Sequence, residues 1–235
     1  MDNSFVSLLF LLIASCSSTT TDDYSGLINS NFIDVFESQS TFDTFWEHDP
    51  YSTTDTYYIG EGNLNFTTSA NNTDRVKVKT LRNDFGVGTY KWRVYAAERT
   101  IGDKNSIGAF LYSDDQHEID FEIGSGKVDV RNQLNAQDDD LLLYCTSQDN
   151  PYVSNPYLIK HNSWYTLKIE ISYASNQNYQ VKWYVDNTLL QTQILDYGSD
   201  VLFAAHCSLE TLNFIGDQIP TQSYSTKFNY FSFIE

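Results

Sequence analysis

The chain has 235 residues, 41% of them hydrophobic and 15% aromatic, enough apolar material for one sizeable core. Fourteen Lys and Arg face 31 Asp and Glu, a formal charge of −17 that argues against nucleic acid and against attraction to anionic lipid. The 17 Tyr and 15 Phe favour strands over helices.

At the N-terminus, Phe5 to Ala14 is an apolar run too short to span a bilayer, followed by the polar stretch Ser15 to Ser25. This is the pattern of a secretory signal, although Met1 to Ser4 lacks the usual Lys or Arg. Ile13-Ala14-Ser15-Cys16 also resembles a lipobox, in which Cys16 would be lipidated and anchor the chain to a membrane. Cleavage and lipidation both fit, so residues 1–22 are assigned to targeting and a short linker. Residues 23–235 are assigned to one domain, secreted or held at the cell surface and expected to be monomeric. Cys145 and Cys207 remain, with a disulfide and two buried thiols equally open. None of the four His sits in a zinc-type spacing, so no metal site is expected. Asn65-Phe66-Thr67 and Asn71-Asn72-Thr73 are glycosylation sequons in a eukaryotic host.

The body of the chain reads as short strands separated by turn residues: 62–66, 75–80, 88–96, 106–112, 117–123, 127–131, 164–172, 180–185, 189–193, 201–205 and 227–234. Asp186-Asn187-Thr188 marks a hairpin. No stretch keeps a 3.6-residue apolar period for a dozen residues, so the fold class expected is all-β, a sandwich of antiparallel sheets. Trp92 and Trp183 share parity with apolar neighbours and belong to the core; Trp46 and Trp164 stay undecided.

The segment with chemical content is His117-Glu118-Ile119-Asp120-Phe121-Glu122-Ile123. On a strand Glu118, Asp120 and Glu122 share one face, while Ile119, Phe121 and Ile123 take the core face with His117. Three carboxyl groups in a row cannot all ionise easily, so at least one is pushed toward its protonated form. Glycosidic cleavage needs such a pair, one ionised and one protonated. The Cα atoms of Glu118 and Glu122 would lie ~13 Å apart, so a retaining mechanism needs their side chains to lean together. The same row would also arise from a solvated acidic strand face.

The ExDxE strand, with a Gly-Thr-Tyr-Lys-Trp-Arg strand before it (Gly88 to Arg93), resembles glycoside hydrolase family 16. Gly62-Asn63-Leu64, Gly108 to Tyr112, Trp183-Tyr184-Val185-Asp186 and Tyr230 to Phe233 resemble further family segments in the same order. The resemblance implies a concanavalin A-like β-jelly roll of two curved sheets with an open concave cleft. It implies a retaining endo-β-glycanase acting on β-1,3-1,4- or β-1,3-glucan, with Glu118 as nucleophile, Asp120 as its assistant and Glu122 as general acid/base. A transglycosylase using the same residues, or a non-catalytic lectin, are the alternatives. The same resemblance carries substrate contacts onto Asp43, Arg93, Phe110, Tyr112, Asp129, Arg131 and His206, with Asp129 and Arg131 read on a strand. It departs from the family at His206 and Ser208, which stand for an Asn and a sugar-stacking Trp, and at Lys91. Arg93, Arg131 and Lys91 near the cleft would leave room for an acidic or sulfated polysaccharide. No cofactor is expected; a structural calcium stays open, with Asn229 where some relatives carry an Asp.

Overall fold

A computed structural model describes residues 31–235. The expected targeting segment 1–22, with Cys16, lies outside the described residues. In chain order the elements are β1 (Phe32–Asp34), α1 (Gln39–Phe45), β2 (Trp46–His48), β3 (Tyr57–Gly60), β4 (Asn63–Thr68), β5 (Arg75–Thr80), β6 (Gly88–Ala96), β7 (Asn105–Asp114), β8 (His117–Gly124), α2 (Val128–Leu134), β9 (Asp140–Gln148), β10 (Val153–Lys160), β11 (Ser163–Tyr173), β12 (Asn178–Val185), β13 (Thr188–Gly198), β14 (Ala204–Thr211) and β15 (Tyr224–Ile234). They form two antiparallel sheets. The front sheet runs β10-β9-β8-β7-β14-β5-β2, and the back sheet runs β13-β12-β11-β6-β15-β4-β3 with β1 on β15.

Strand parity makes the core. Tyr90, Trp92 and Val94 of β6, Leu167 and Ile169 of β11, and Trp183 of β12 are fully buried from the back sheet. Ile119, Phe121 and Ile123 of β8 and Leu111 of β7 meet them from the front sheet. Trp183 adds a polar tie, its indole N–H donating to the backbone carbonyl of Asp120 at 3.0 Å. Trp46 also belongs to the core and donates to Asp34 at 2.9 Å. His117 packs edge-on against Tyr197, with ring centres 4.6 Å apart, and bonds Asp114 through Nδ1 at 2.7 Å. The β12–β13 hairpin turns at Asp186 (φ 47) and Asn187 (φ 68), two residue types that tolerate the left-handed backbone of a tight two-residue turn.

Three local expectations are corrected. Residues 128–134 form helix α2 rather than a strand. Gly126, at φ +80, breaks the extended run after β8, and Val130 and Leu134, one helical turn apart, cover Leu142, Tyr144 and Ile215. The late strand begins at Ala204 rather than 201, with Phe203 making only an isolated bridge to Phe85. Strands β9 and β10 lie where no strand was expected. Cys145 and Cys207 are buried free thiols, which decides that alternative.

Candidate active site

Strand β8 lies inside the front sheet, between β7 and β9, and its register sets the floor of a cleft of about 660 Å³ on that sheet's outer face. Cross-strand pairing gives three parallel rows. Gln148, Glu118, Tyr112 and Ala204 form the first. Thr146, Asp120, Phe110, His206 and Lys79 form the second, and Tyr144, Glu122, Gly108, Ser208 and Lys77 the third. Glu118, Asp120 and Glu122 therefore share the cleft face, as parity requires.

Their electrostatics follow from burial. Glu122 is nearly inaccessible; desolvation, then the nearby Glu210 carboxylate, pushes its pKa up to about 8. It is protonated at neutral pH. The Ser106 hydroxyl donates to Glu122 Oε2 and fixes that carboxyl. Asp120 is raised well above the carboxylate range by burial and by Glu118 and Glu122 on either side. Protonated, it donates to Glu118, a bond that favours the Glu118 carboxylate. Glu118 is itself raised, by burial first and then by Glu210, against that bond. The row thus separates into a proton-sharing Glu118–Asp120 pair and a protonated Glu122, the asymmetry that acid/base chemistry requires.

Glycine is required beside Glu122. A Cβ on Gly108 would stand 2.8 Å from Glu122 Oε1 and closer still to Ser208 Oγ. Gly108→Ala should displace the Glu122 carboxyl and lower kcat by roughly tenfold or more, while the melting temperature falls only modestly; steady-state kinetics on a soluble glucan with a thermal melt checks it.

Phe110, Tyr112 and His206 line the cleft as expected. His206 stacks on Phe110, with rings 4.6 Å apart and 8° from parallel, and its Nε2 meets Asp49 Oδ2 at 3.2 Å. Burial lowers the His206 pKa, so the ring is neutral; His206, the backbone of Tyr51 and Lys77 hold Asp49 down at about 2 despite its burial. Tyr112 donates to Asp115 at 2.8 Å.

Four other expected contacts lie elsewhere. Arg93 is on β6 of the back sheet, its guanidinium over Trp164 at 5.4 Å; Lys91 shares that outer face. Arg131 is buried in α2 and spent on backbone carbonyls, Nη1 donating to Ser125 and Asp140 at 2.7 and 2.8 Å and Nη2 to Gln137 at 2.5 Å. Asp129 is an exposed residue at the start of the same helix. Asp43 is exposed on α1, accepting from Gln39 at 2.7 Å. None of the four lines the cleft. Asn229 donates to the Gly62 carbonyl at 3.0 Å. Among the described residues no three His, Cys, Asp or Glu side chains converge as metal ligands.

Sequence reasoning missed one ion pair, between buried Glu210 and partly exposed Arg75. Glu210 of β14 is held by Arg75 of β5, Nε to Oε2 at 2.5 Å, directly across the strand register. The alternation Arg75-Val76-Lys77-Val78 put two bases on one face of β5, which was a signal for it. Glu210→Gln removes a negative charge that raises Glu122 and leaves Arg75, which lowers it. The alkaline limb of kcat/KM should move to lower pH, with activity at pH 8 falling about threefold; a pH–rate profile reads this directly. The cleft walls were also missed. Tyr51 (after β2), Tyr152 (between β9 and β10) and Phe214 (after β14) present largely exposed rings from loops. No Trp lines the cleft.

Neither a family model nor a curated relative matches this sequence. Solved structures do. A Bacillus licheniformis β-glucanase superposes with a TM-score of 0.64 at 15% identity, covering 88% of this chain and 99% of the other. The catalytic domain of an endo-1,3-β-glucanase (laminarinase) from Thermotoga petrophila gives 0.66 at 12%, covering 88% and 97%. The chain has the fold of glycoside hydrolase family 16. A Crh5 transglycosylase superposes as well, with a TM-score of 0.64 at 16% identity over 89% of this chain and 86% of that one. The family 16 fold thus joins hydrolases and a transglycosylase among the neighbours, and the two-sheet jelly roll expected from the sequence stands.

Proposed function

We propose that the protein is a retaining endo-β-glycanase acting on a β-1,3-1,4- or β-1,3-glucan by double displacement. The observation that carries this is the Glu118–Asp120–Glu122 row on the cleft floor, with Glu122 protonated at neutral pH and Asp120 donating to Glu118. In the first step the Glu118 carboxylate attacks the anomeric carbon while Glu122 gives its proton to the departing glycosidic oxygen. In the second, the Glu122 carboxylate takes a proton from water, whose oxygen displaces Glu118 and releases the sugar with its configuration retained. Asp120 is the positioning partner, holding Glu118 by its shared proton. The open cleft over this row, between Tyr51, Tyr152 and Phe214, is the seat we assign to the reacting sugar. Tyr112 beside Glu118, and the exposed rings of Tyr51, Tyr152 and Phe214, supply flat faces for adjacent rings.

The alternatives on this fold are transglycosylation, in which an acceptor sugar replaces water in the second step, and lectin-like binding. A pure binding site has no use for a row of three carboxyl groups, two buried and one partly buried, each of which resists ionisation. We also read the Phe5–Ala14 segment as directing export, so that the substrate is met outside the cell.

The test is a reducing-end assay of the purified protein on lichenan, laminarin, xyloglucan, agarose and carrageenan. Lichenan or laminarin should give new reducing ends and short oligosaccharides. Longer products without new reducing ends would mark a transglycosylase, and binding without products on every polysaccharide would sustain the lectin reading.

A further inference from the structure

The back sheet carries a charge pattern opposite to that of the whole chain. Five of the 14 Lys and Arg, but only three of the 31 Asp and Glu, lie on its eight strands, and of those three Asp34 on β1 is buried and Asp196 sits on the edge strand β13. The bases are Lys91, Arg93, Lys168, Lys182 and Lys227, and the remaining acid is Glu170. Their parity is opposite to that of buried Tyr90, Trp92, Leu167, Ile169, Val181, Trp183 and Phe228, so all six project from the outer face.

The register assembles them with aromatic rings. Lys227 pairs with Tyr95, which pairs with Trp164; Tyr230 pairs with Arg93; Lys91 pairs with Lys168, which pairs with Tyr184. Cations lie over two of these rings: Arg93 over Trp164 at 5.4 Å, and Lys168 over Tyr184 at 3.7 Å. Glu170 is occupied by Lys168 at 2.6 Å and by the Tyr184 hydroxyl at 2.7 Å. Lys182 stands directly across from Glu170, and three cations, Lys91, Arg93 and Lys227, are left unmatched by a carboxylate on these strands. Adjacent strands are about 4.8 Å apart and same-face neighbours on a strand about 6.7 Å apart, a grid on the scale of successive sugar rings.

We propose that this face is a second glycan-binding surface, on the side of the molecule opposite the cleft, for an anionic polysaccharide bearing sulfate or uronate groups. The bases meet the anions, and the partly exposed Tyr95, Trp164, Tyr184 and Tyr230 meet the apolar C–H faces of the rings. A polysaccharide fits better than nucleic acid or anionic lipid because its charges are spaced by uncharged ring surface, while a chain of net −17 repels denser polyanions. The inference does not depend on catalysis by the front cleft.

The test uses the chain carrying Glu118→Gln, so that the cleft cannot consume the probe. Its affinity for polygalacturonate and λ-carrageenan is compared with that for neutral laminarin, by affinity electrophoresis and calorimetry at low and at physiological salt. The anionic polymers should bind in a salt-dependent manner, and Lys91→Gln/Arg93→Gln/Lys227→Gln should weaken them about tenfold or more while laminarin binding holds. In the otherwise natural chain that triple variant should leave turnover of a short soluble oligosaccharide unchanged. Equal binding of the anionic polymers by parent and triple variant would overturn the proposal. So would a preference, lost with the same substitutions, for phosphatidylserine vesicles or single-stranded nucleic acid. Absence of glycanase activity with binding intact would defeat the catalytic reading alone.

Discussion

Glu118→Ala is expected to lower kcat on a glucan by about three to four orders of magnitude while leaving the thermal melt close to that of the parent. Glu118 is partly buried and opens onto the cleft rather than the core between the sheets, so its loss opens no core cavity. Its removal instead takes away the atom that would form the covalent bond to sugar, and nothing else in its row replaces it: Gln148 and Tyr112 flank it and Asp120 is held in its protonated state. Azide, small enough to occupy the vacated space, should restore part of the rate and yield a glycosyl azide of inverted configuration. A variant that keeps more than about a hundredth of the parental activity would rule out Glu118 as nucleophile.

Glu122→Gln should have two large effects of opposite sign. Activity on polysaccharide falls by about two to four orders of magnitude, because the leaving oxygen loses its proton donor. A substrate whose leaving group needs no protonation, such as a dinitrophenyl glycoside, should still form the covalent intermediate at near-parental rate. Stability should rise in alkaline solution. The ordinary Glu pKa is 4.5 and the folded value is about 8, so folding favours the protonated form. That contribution is complete below about 4.5 and is lost as pH climbs through about 8, where the buried group must ionise. Gln never ionises, so the variant should melt about 5–10 °C above the parent at pH 9 and almost with it at pH 5. Equal melting temperatures at both pH values would mean that Glu122 is not held protonated.

The same burial predicts the pH profile of the parent. The alkaline limb of kcat/KM should lie near 8, set by Glu122, and the acid limb should lie above the usual carboxylate range, set by the Glu118–Asp120 pair.

The candidate site was legible because one strand contains it. Alternation over Glu118 to Ile123 decided which side chains face the core, and burial of Ile119, Phe121 and Ile123 agrees. Parity says whether a residue points inward or outward, however, and not from which sheet. Arg93 is expected in the cleft and does point outward, but outward from β6 is the back of the molecule, whereas outward from β7 and β8 is the cleft. Alternation also failed for β9, where Leu141, Leu143 and Cys145 enter the core while Leu142 and Tyr144 are covered by α2. A strand buried on both faces shows a continuous apolar run with no period of two. The stretch at Lys127 to Arg131 was too short to separate a helical from an extended pattern; Gly126 and the partners of Arg131 decided it. Tyr51, Tyr152 and Phe214 come from loops, whose path the pattern of strands does not give.

Strand β8 is hydrogen-bonded on both sides along its length, and Trp183 ties its midpoint to the other sheet. Its amides should therefore exchange with solvent deuterium only when the whole domain opens, at the free energy of global unfolding. Tyr51, Tyr152 and Phe214 sit on segments free of that constraint. Substitutions there can alter which sugars are accepted without drawing on the stability that keeps the three carboxyl groups in register, so substrate range can drift while the reaction is conserved.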